Sequence, residues 1–442
     1  MLNYIWLGLM LAAVLIGGFT GRMKELTDGT FDSAKAAVMI ALGLIGIMAL
    51  WLGIMRLAER SGLVRLIASA LRPLTRRLFP DVPAEHPANG AIVMTIAANM
   101  LGLSNAATPL GLRAMGYLES LNPRPGVATN AMCTFLAIST SSVQLIPATA
   151  VAILASANSQ NPSAIIGTAL ISTFCAAIAG VVSVKWLEKL PMFRLPEAET
   201  TVDRRANVEM SFTATEVEAE PAALGVFGKV TLFGFLALFV AWFVMDVFFP
   251  GAFGRPVPVM SGKSLFAQIV GTVSLMAIPF LLMFFPLYAA LRRVKVYEEF
   301  TDGAKEGFNV AVRIIPYLVA ILVAVGMFRA AGGIDLLARA LSPVLGLISF
   351  PTDLLPIVLV RPLSGSATTG LFAELVKAHG PDSLIARTAG TIMGSTETTF
   401  YVLAVYFGSV AVRRTRHAVV AGLTADLTGV IVSVIVCRWM FT

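Results

Sequence analysis

Gly62-Leu-Val-Arg-Leu-Ile-Ala-Ser-Ala-Leu-Arg-Pro73 returns as Gly332-Gly-Ile-Asp-Leu-Leu-Ala-Arg-Ala-Leu-Ser-Pro343, with Gly, Leu, Ala, Ala, Leu and Pro matching in one gapless frame. Working outward, Leu103-Ser-Asn-Ala-Ala-Thr108 pairs with Leu363-Ser-Gly-Ser-Ala-Thr368. Ser139-Thr-Ser-Ser142 then pairs with Ser395-Thr-Glu-Thr398, in the same order. Half the chain is an altered copy of the other half. Both copies lie in strongly apolar sequence, and internally repeated membrane proteins commonly bind a solute where their repeats meet.

Of 442 residues, 57% are hydrophobic and 13% charged, against about 25% charged in a soluble domain. Apolar runs near 4–19, 36–55, 127–156, 163–187, 226–249, 265–291, 308–329, 383–410 and 416–440 meet or approach the roughly 20 residues of a spanning helix. The first is not read as a signal peptide, because Met1 to Trp6 carries no basic side chain and no small-residue cleavage site follows. The formal charge of +7 is scattered just beyond apolar segments rather than gathered in one patch, which excludes nucleic acid as the expected partner. Cys133, Cys175 and Cys437 fall inside the apolar runs without metal-type spacing and read as small buried residues.

Arg56, Arg60, Arg65, Arg72, Arg76 and Arg77 follow the second run, and Lys185, Lys189 and Arg194 the fourth. The positive-inside rule makes those ends cytoplasmic, giving nine crossings with the N-terminus inside and the C-terminus outside. Two semi-apolar stretches, 89–118 and 354–376, are left over. Each has a hydroxyl-rich centre between short apolar arms, as in a re-entrant hairpin buried within protein. On this count Gly62–Pro73 is cytoplasmic and Gly332–Pro343 external, so the copies are inverted. Arg65, Ser69, Arg72 and Arg76 give the first copy a basic stripe suited to a surface helix. Between the copies, the acidic and weakly apolar stretch from Leu195 to Pro221 reads as a cytoplasmic linker. The expected organisation is a first repeat over 1–194, a linker over 195–225 and a second repeat over 226–442.

Four polar clusters fall at bilayer depth. Ser104, Asn105 and Thr108 mark the first hairpin tip, and Ser364, Ser366, Thr368 and Thr369 the second; Ser139, Thr140, Ser141, Ser142 and Gln144 lie in the third run, and Ser395, Thr396, Glu397, Thr398 and Thr399 in the eighth. Pro147 and Gly394 permit local unwinding beside the spanning clusters, which frees backbone groups for a ligand. Single hydroxyls of this kind often do no more than join helices, but four clusters recurring in order point to a binding site. Glu397 is the sharpest residue, since a mid-span carboxylate requires a partner, a proton or a bound cation. Arg361 is its natural counter-charge, and Asp426 and Arg313 are two further intramembrane ionisable groups. A buried ion pair from Arg361 to Glu397 or Asp426 is the competing structural reading. His86, His379 and His417 are dispersed and read as surface residues. No phosphate-binding loop, zinc pattern or activated nucleophile is present, so an enzyme is not expected.

The run Ala98-Asn-Met-Leu-Gly-Leu-Ser-Asn-Ala-Ala-Thr-Pro-Leu-Gly-Leu112 and the run Ser139-Thr-Ser-Ser-Val-Gln-Leu-Ile-Pro147 resemble spore maturation protein A. Arg361-Pro-Leu-Ser-Gly-Ser-Ala367 and Gly394-Ser-Thr-Glu-Thr-Thr-Phe-Tyr401 resemble spore maturation protein B. That family shares a nucleoside-recognition or gate domain with concentrative nucleoside transporters and with ferrous-iron transporters. The resemblance implies a hairpin-plus-broken-helix core and movement of a small polar solute, without implying a nucleoside. The expected fold is therefore an all-α polytopic membrane protein with two inverted gate-domain repeats, re-entrant helical hairpins and broken transmembrane helices. The expected function is an inner-membrane secondary transporter or permease-like carrier for a small polar solute bound near mid-membrane between the two hairpin tips and the two broken helices, with no cofactor; Na+ or H+ is a candidate coupling ion. A homo-oligomer is compatible with this reading. The alternative is a non-transporting scaffold for envelope proteins, in which Glu397 and Arg361 would be neutralised and no cavity present.

Overall fold

A computed structural model describes residues 2–102, 104–193, 222–249, 264–333, 336, 339–340 and 350–441; the side chains of 2–5, 40, 104–106, 310, 311, 313, 314, 317 and 321 lie outside it. Most of the expected linker, most of the second copy of the Gly62–Pro73 segment and the Arg313 side chain therefore fall outside the described residues. The chain is helical. Before residue 194 come α1 (Leu2–Thr20), α2 (Met23–Arg60), α3 (Leu63–Leu78), α4 (Pro87–Met100), α5 (Ser104–Ser120), α6 (Asn130–Ser141), α7 (Ala148–Ser156) and α8 (Ile165–Leu187). After it come α9 (Val226–Phe248), α10 (Leu265–Leu291), α11 (Val296–Ala330), α12 (Leu355–Val360), α13 (Gly365–His379), α14 (Leu384–Met393), α15 (Thr399–Ser409) and α16 (Ala418–Phe441).

The element order repeats. A long helix (α2, α11) leads to a hairpin (α4–α5, α12–α13), a broken helix (α6–α7, α14–α15) and a closing helix (α8, α16). Corresponding helices run in opposite directions. Along α2 and α11, Gly29 meets Gly326 and Ala330, Ala49 meets Gly307, and Gly53 meets Phe300, while Arg56 and Arg60 both pair with Glu299 at 3.0 and 3.1 Å. As the residue number rises on one helix it falls on the other. The closing helices behave alike: Gly180 packs on Ala425, and Thr168 reaches Cys437 through Thr391, by contacts of 2.8 and 3.2 Å. Antiparallel packing of equivalent helices is what an inverted repeat produces.

Without water to drive helices together, close backbone approach through small residues supplies the contact. A Cβ placed on Gly307 would lie 2.6 Å from Ala49 Cα and from Met48 O. Gly307→Val is accordingly expected to force α2 and α11 apart and to lower stability by about 1–3 kcal/mol. A melting temperature in detergent equal to that of the unsubstituted protein would contradict this packing.

The hairpins interlock the copies. The core around Phe135, Met115 and Ile92 joins α4 and α5 to α6 of their own copy and to Val402, Leu403 and Tyr406 of α15 from the other. A second core around Phe372 and Ile392 joins α13 to α14 of its own copy and to Ile153 and Leu154 of α7 from the other. Each hairpin thus sits between the first half of its own broken helix and the second half of its counterpart's. On α3, Leu63, Val64 and Ala68 face inward while Arg65, Ser69, Arg72 and Arg76 are exposed, as their spacing predicts. Helices α2, α8, α9, α10 and α16 are long and apolar enough to span a bilayer. Phe233, Val240 and Trp242 of α9 project outward, which in a multi-pass membrane protein places them against lipid.

At one surface Asp382, between α13 and α14, holds the connection that follows α7. Its Oδ1 accepts from Ser159 Oγ at 2.7 Å and from Arg387 Nη2 at 3.2 Å, and its Oδ2 accepts from Gln160 N–H at 2.9 Å. Burial raises this carboxyl's pKa, but the bonds from Gln160, Ser159 and Arg387 outweigh it and hold the group below its ordinary 3.8. A folded-state pKa below the unfolded value contributes stability that is present above pH 3.8 and lost as pH falls through the folded value. Asp382→Asn should cost about 1 kcal/mol at neutral pH, limited by solvent screening. That difference should shrink below about pH 4, and melting curves of both proteins across pH 3 to 7 check it.

The expectation of surface histidines fails for His417, which is fully buried before α16 with neither ring nitrogen hydrogen-bonded. The preceding loop folds inward because Arg416 donates to Ala128 O at 3.0 Å, to Asn130 Oδ1 at 2.8 Å and to Phe193 O, and Phe193 packs edge-on against the His417 ring. His86 caps α4, and His379 lies 3.7 Å from Asp353. Cys133 and Cys437 are buried as expected, whereas Cys175 is half-buried.

Candidate functional site

Both spans expected to unwind do so. Pro147 has no N–H to continue a helix, and six residues separate α6 from α7; in the second copy the break follows Gly394, the C-cap of α14. Several backbone groups at the breaks are paired across the molecule. Thr173 of α8 donates to Ser141 O and Ser142 O at 3.2 and 3.0 Å. Leu145 N–H donates to Met100 O at the first hairpin tip, at 3.0 Å, and Phe400 N–H donates to Pro362 O at the second, at 2.8 Å. Each link thus hangs from the hairpin tip of its own copy, a correspondence that follows the repeat. The two links also meet each other: Glu397 N–H donates to Thr140 O at 2.7 Å, and a Cβ on Gly394 would lie 2.5 Å from Pro147 Cβ.

Where the links cross, a cavity of about 210 Å³ opens between both hairpin tips and both links. Gly102, Arg361 and Gly365 border it from the tips, and Gln144, Pro147 and Glu397 from the links. Gln144 Nε2 donates to Glu397 Oε1 at 2.6 Å, joining the copies inside the site. Arg361 is 6% exposed; its Nη2 donates to Thr396 O, and its Nε has no partner. Among the described residues no ion pair joins Arg361 to Glu397 or to Asp426. The competing reading of a structural salt bridge at Arg361 therefore finds no contact to rest on. Asp426 is a separate buried carboxylate on α16, with Thr399 Oγ1 donating to Oδ2 at 2.5 Å and Oδ1 unpartnered.

Of the residues expected from sequence, Gln144, Arg361, Thr369 and Glu397 border the cavity. The hydroxyls mostly serve their own helices. Thr140 donates to Leu136 O, Ser141 to Ala137 O, Thr368 to Ser364 O and Ser395 to Ile392 O, and Ser364 caps α13, with Ser366 3.3 Å away. The hydroxyls of Ser139 and Ser142 are buried without a hydrogen-bond partner. Thr396 lends its carbonyl to Arg361, and Thr398 packs against Gly365. Thr108 is half-buried on α5, and the side chains of Ser104 and Asn105 lie outside the described residues. Thr149 borders the cavity without having been singled out; its only sequence signal is its place in the turn opened by Pro147.

Two segments, residues 41–157 and 311–413, match the Gate family model, described as nucleoside recognition. They run from α2 into the end of α7 and from α11 into the loop after α15, and so contain both hairpins and both broken helices. Spore maturation protein B of Bacillus subtilis (strain 168) is 42% identical over 174 residues, covering 39% of this chain and 98% of that protein. Spore maturation protein A of the same organism is 37% identical over 182 residues, covering 41% of this chain and 93% of that protein. The crystal structure of the Alcanivorax borkumensis YdaH transporter is similar over 99% of this chain and 97% of that one, at 15% identity and a TM-score of 0.38, a level from which nothing further is drawn. With nearly the full length of both Bacillus proteins matched, the chain belongs to the spore maturation protein A and B family, as a fused form carrying the Gate domain.

Proposed function

We propose that this chain is a secondary transporter or permease-like carrier of the bacterial inner membrane, with its N-terminus cytoplasmic, that binds a small polar solute in the cavity between the hairpin tips and the broken helices. The observation that carries this reading is that Arg361 and Glu397 border one cavity where the two copies meet, with no ion pair between them. Two ionisable groups at membrane depth are costly unless something occupies the space between them. A scaffold has no use for that cost. The inverted repeat supports the same reading, because a site at the repeat interface can face either side as one copy rocks against the other. The half-buried carboxylate of Glu397 and the buried one of Asp426 are the groups assigned to a coupling ion, Na+ or H+.

The test is reconstitution of the purified full chain in liposomes, with uptake measured for amino acids, dicarboxylates, nucleosides and divalent metals under imposed Na+ and H+ gradients. Saturable, gradient-driven uptake of one class is expected. No uptake of any class, together with no thermal stabilisation by any of them, would favour the scaffold.

A further inference from the structure

We propose that the solute is a small zwitterion of amino-acid size, its anionic group held by Arg361 and the amino ends of α7 and α13, its ammonium held by Glu397. This rests on the carrier reading and specifies its substrate class.

The anionic half follows from three positive features around one space. Arg361 is buried, borders the cavity and keeps an unpartnered Nε; a guanidinium there is suited to a carboxylate, which its planar fork can bind through two parallel bonds. The first turn of α7, Ala148 to Ala150, borders the same cavity, and no side chain caps that helix. The first residue of α13, Gly365, borders it as well. Each helix start carries about half a positive charge and exposes backbone N–H groups to an anion. With Arg361 they offset the two nearby carboxylates, Glu397 and Asp426, that act on the guanidinium, so the site is close to neutral and suits a solute carrying one charge of each sign.

The cationic half follows from Glu397. Its carboxylate borders the same space and has Gln144, a neutral amide, as its hydrogen-bond donor, with no ion pair among the described residues. An ammonium brought by the solute would neutralise it. A purely anionic solute would leave Glu397 uncompensated, and a purely cationic one would leave Arg361 so, and each uncompensated buried charge is expensive. Size agrees with charge: a cavity of about 210 Å³ lies below the roughly 300 Å³ where pockets for drug-sized ligands begin.

The experiment measures binding of the twenty amino acids to the purified full chain by thermal stabilisation, then compares the strongest with its deaminated and decarboxylated analogues, a dicarboxylate and uridine. The amino acid should bind at least about tenfold more tightly than either analogue. Glu397→Gln should weaken the amino acid by at least about tenfold while leaving the deaminated acid unchanged or better bound, and Arg361→Gln should do the converse for the decarboxylated amine. A merely structural role would weaken all ligands alike. Should Arg361→Gln not fold, Arg361→Lys and the analogue comparison on the unsubstituted protein decide the matter. Binding of uridine or the dicarboxylate in preference to every amino acid overturns the zwitterion and leaves the carrier standing. Binding and uptake of none of them overturns both.

Discussion

Liposomes carrying Glu397→Gln are expected to take up solute at least about a hundredfold more slowly than those carrying the unsubstituted protein, a loss of about 2.7 kcal/mol. The substitution preserves shape, and Gln144 can still hydrogen-bond the new amide oxygen as it does Glu397 Oε1. The backbone bond from residue 397 to Thr140 O does not involve the side chain. Melting in detergent should therefore stay within about 2 °C of the unsubstituted protein, corresponding to less than about 1 kcal/mol. What is lost is the charge, and with it the seat for an ammonium or a coupling cation. Normal uptake with unchanged pH and Na+ dependence would remove Glu397 from the site.

Arg361→Ala is expected to act on stability as well. It removes the donor to Thr396 O within a buried link, leaving a carbonyl without its charged partner, at a cost of about 2–3 kcal/mol. The informative measurement is the double substitution with Glu397→Gln. Because no ion pair joins the two side chains among the described residues, the second change should recover less than about 1 kcal/mol. A double variant restored to the stability of the unsubstituted protein would mean that Arg361 is there to neutralise Glu397. In that case the cavity would lose its claim to a solute carboxylate.

Much of the architecture was legible because the repeat is local in sequence even though its consequences are not. Proline and glycine marked the two breaks correctly, because Pro147 and Gly394 act on their own backbone. The leftover stretches 89–118 and 354–376 became hairpins, because a hydroxyl-rich centre between short apolar arms has few other solutions at bilayer depth. The interlocking was not legible. Nothing near Tyr406 announces that it packs against Gly111 of the first hairpin, since the contact joins half-helices from different copies.

The same limit applies to the site. Hydroxyl clusters recur in both copies, yet Thr140, Ser141, Thr368 and Ser395 mostly return their hydrogen bonds to the preceding turn, a choice that depends on rotamer and not on spacing. Gln144, Arg361 and Glu397 could be found because long polar side chains at membrane depth must go somewhere. The pairing of Gln144 with Glu397 required the crossing of the two links, which no sequence period encodes. His417 was misread because its burial depends on Arg416 anchoring the loop to Ala128, Asn130 and Phe193, all far away in the chain.

The central claim is that solute occupies the cavity where the two broken helices cross. Thr149 borders that cavity from α7, and the proposed charge recognition uses only the backbone of its turn and not its side chain, so a cysteine placed there reports occupancy directly. In a background lacking Cys133, Cys175 and Cys437, Thr149→Cys should react with a small methanethiosulfonate reagent. The amino acid that best stabilises the protein should slow that reaction, while leaving the reaction of Ser69→Cys on the exposed polar face of α3 unaffected. An unreactive Thr149→Cys, or one that no amino acid, dicarboxylate, nucleoside or divalent metal protects, would contradict the account.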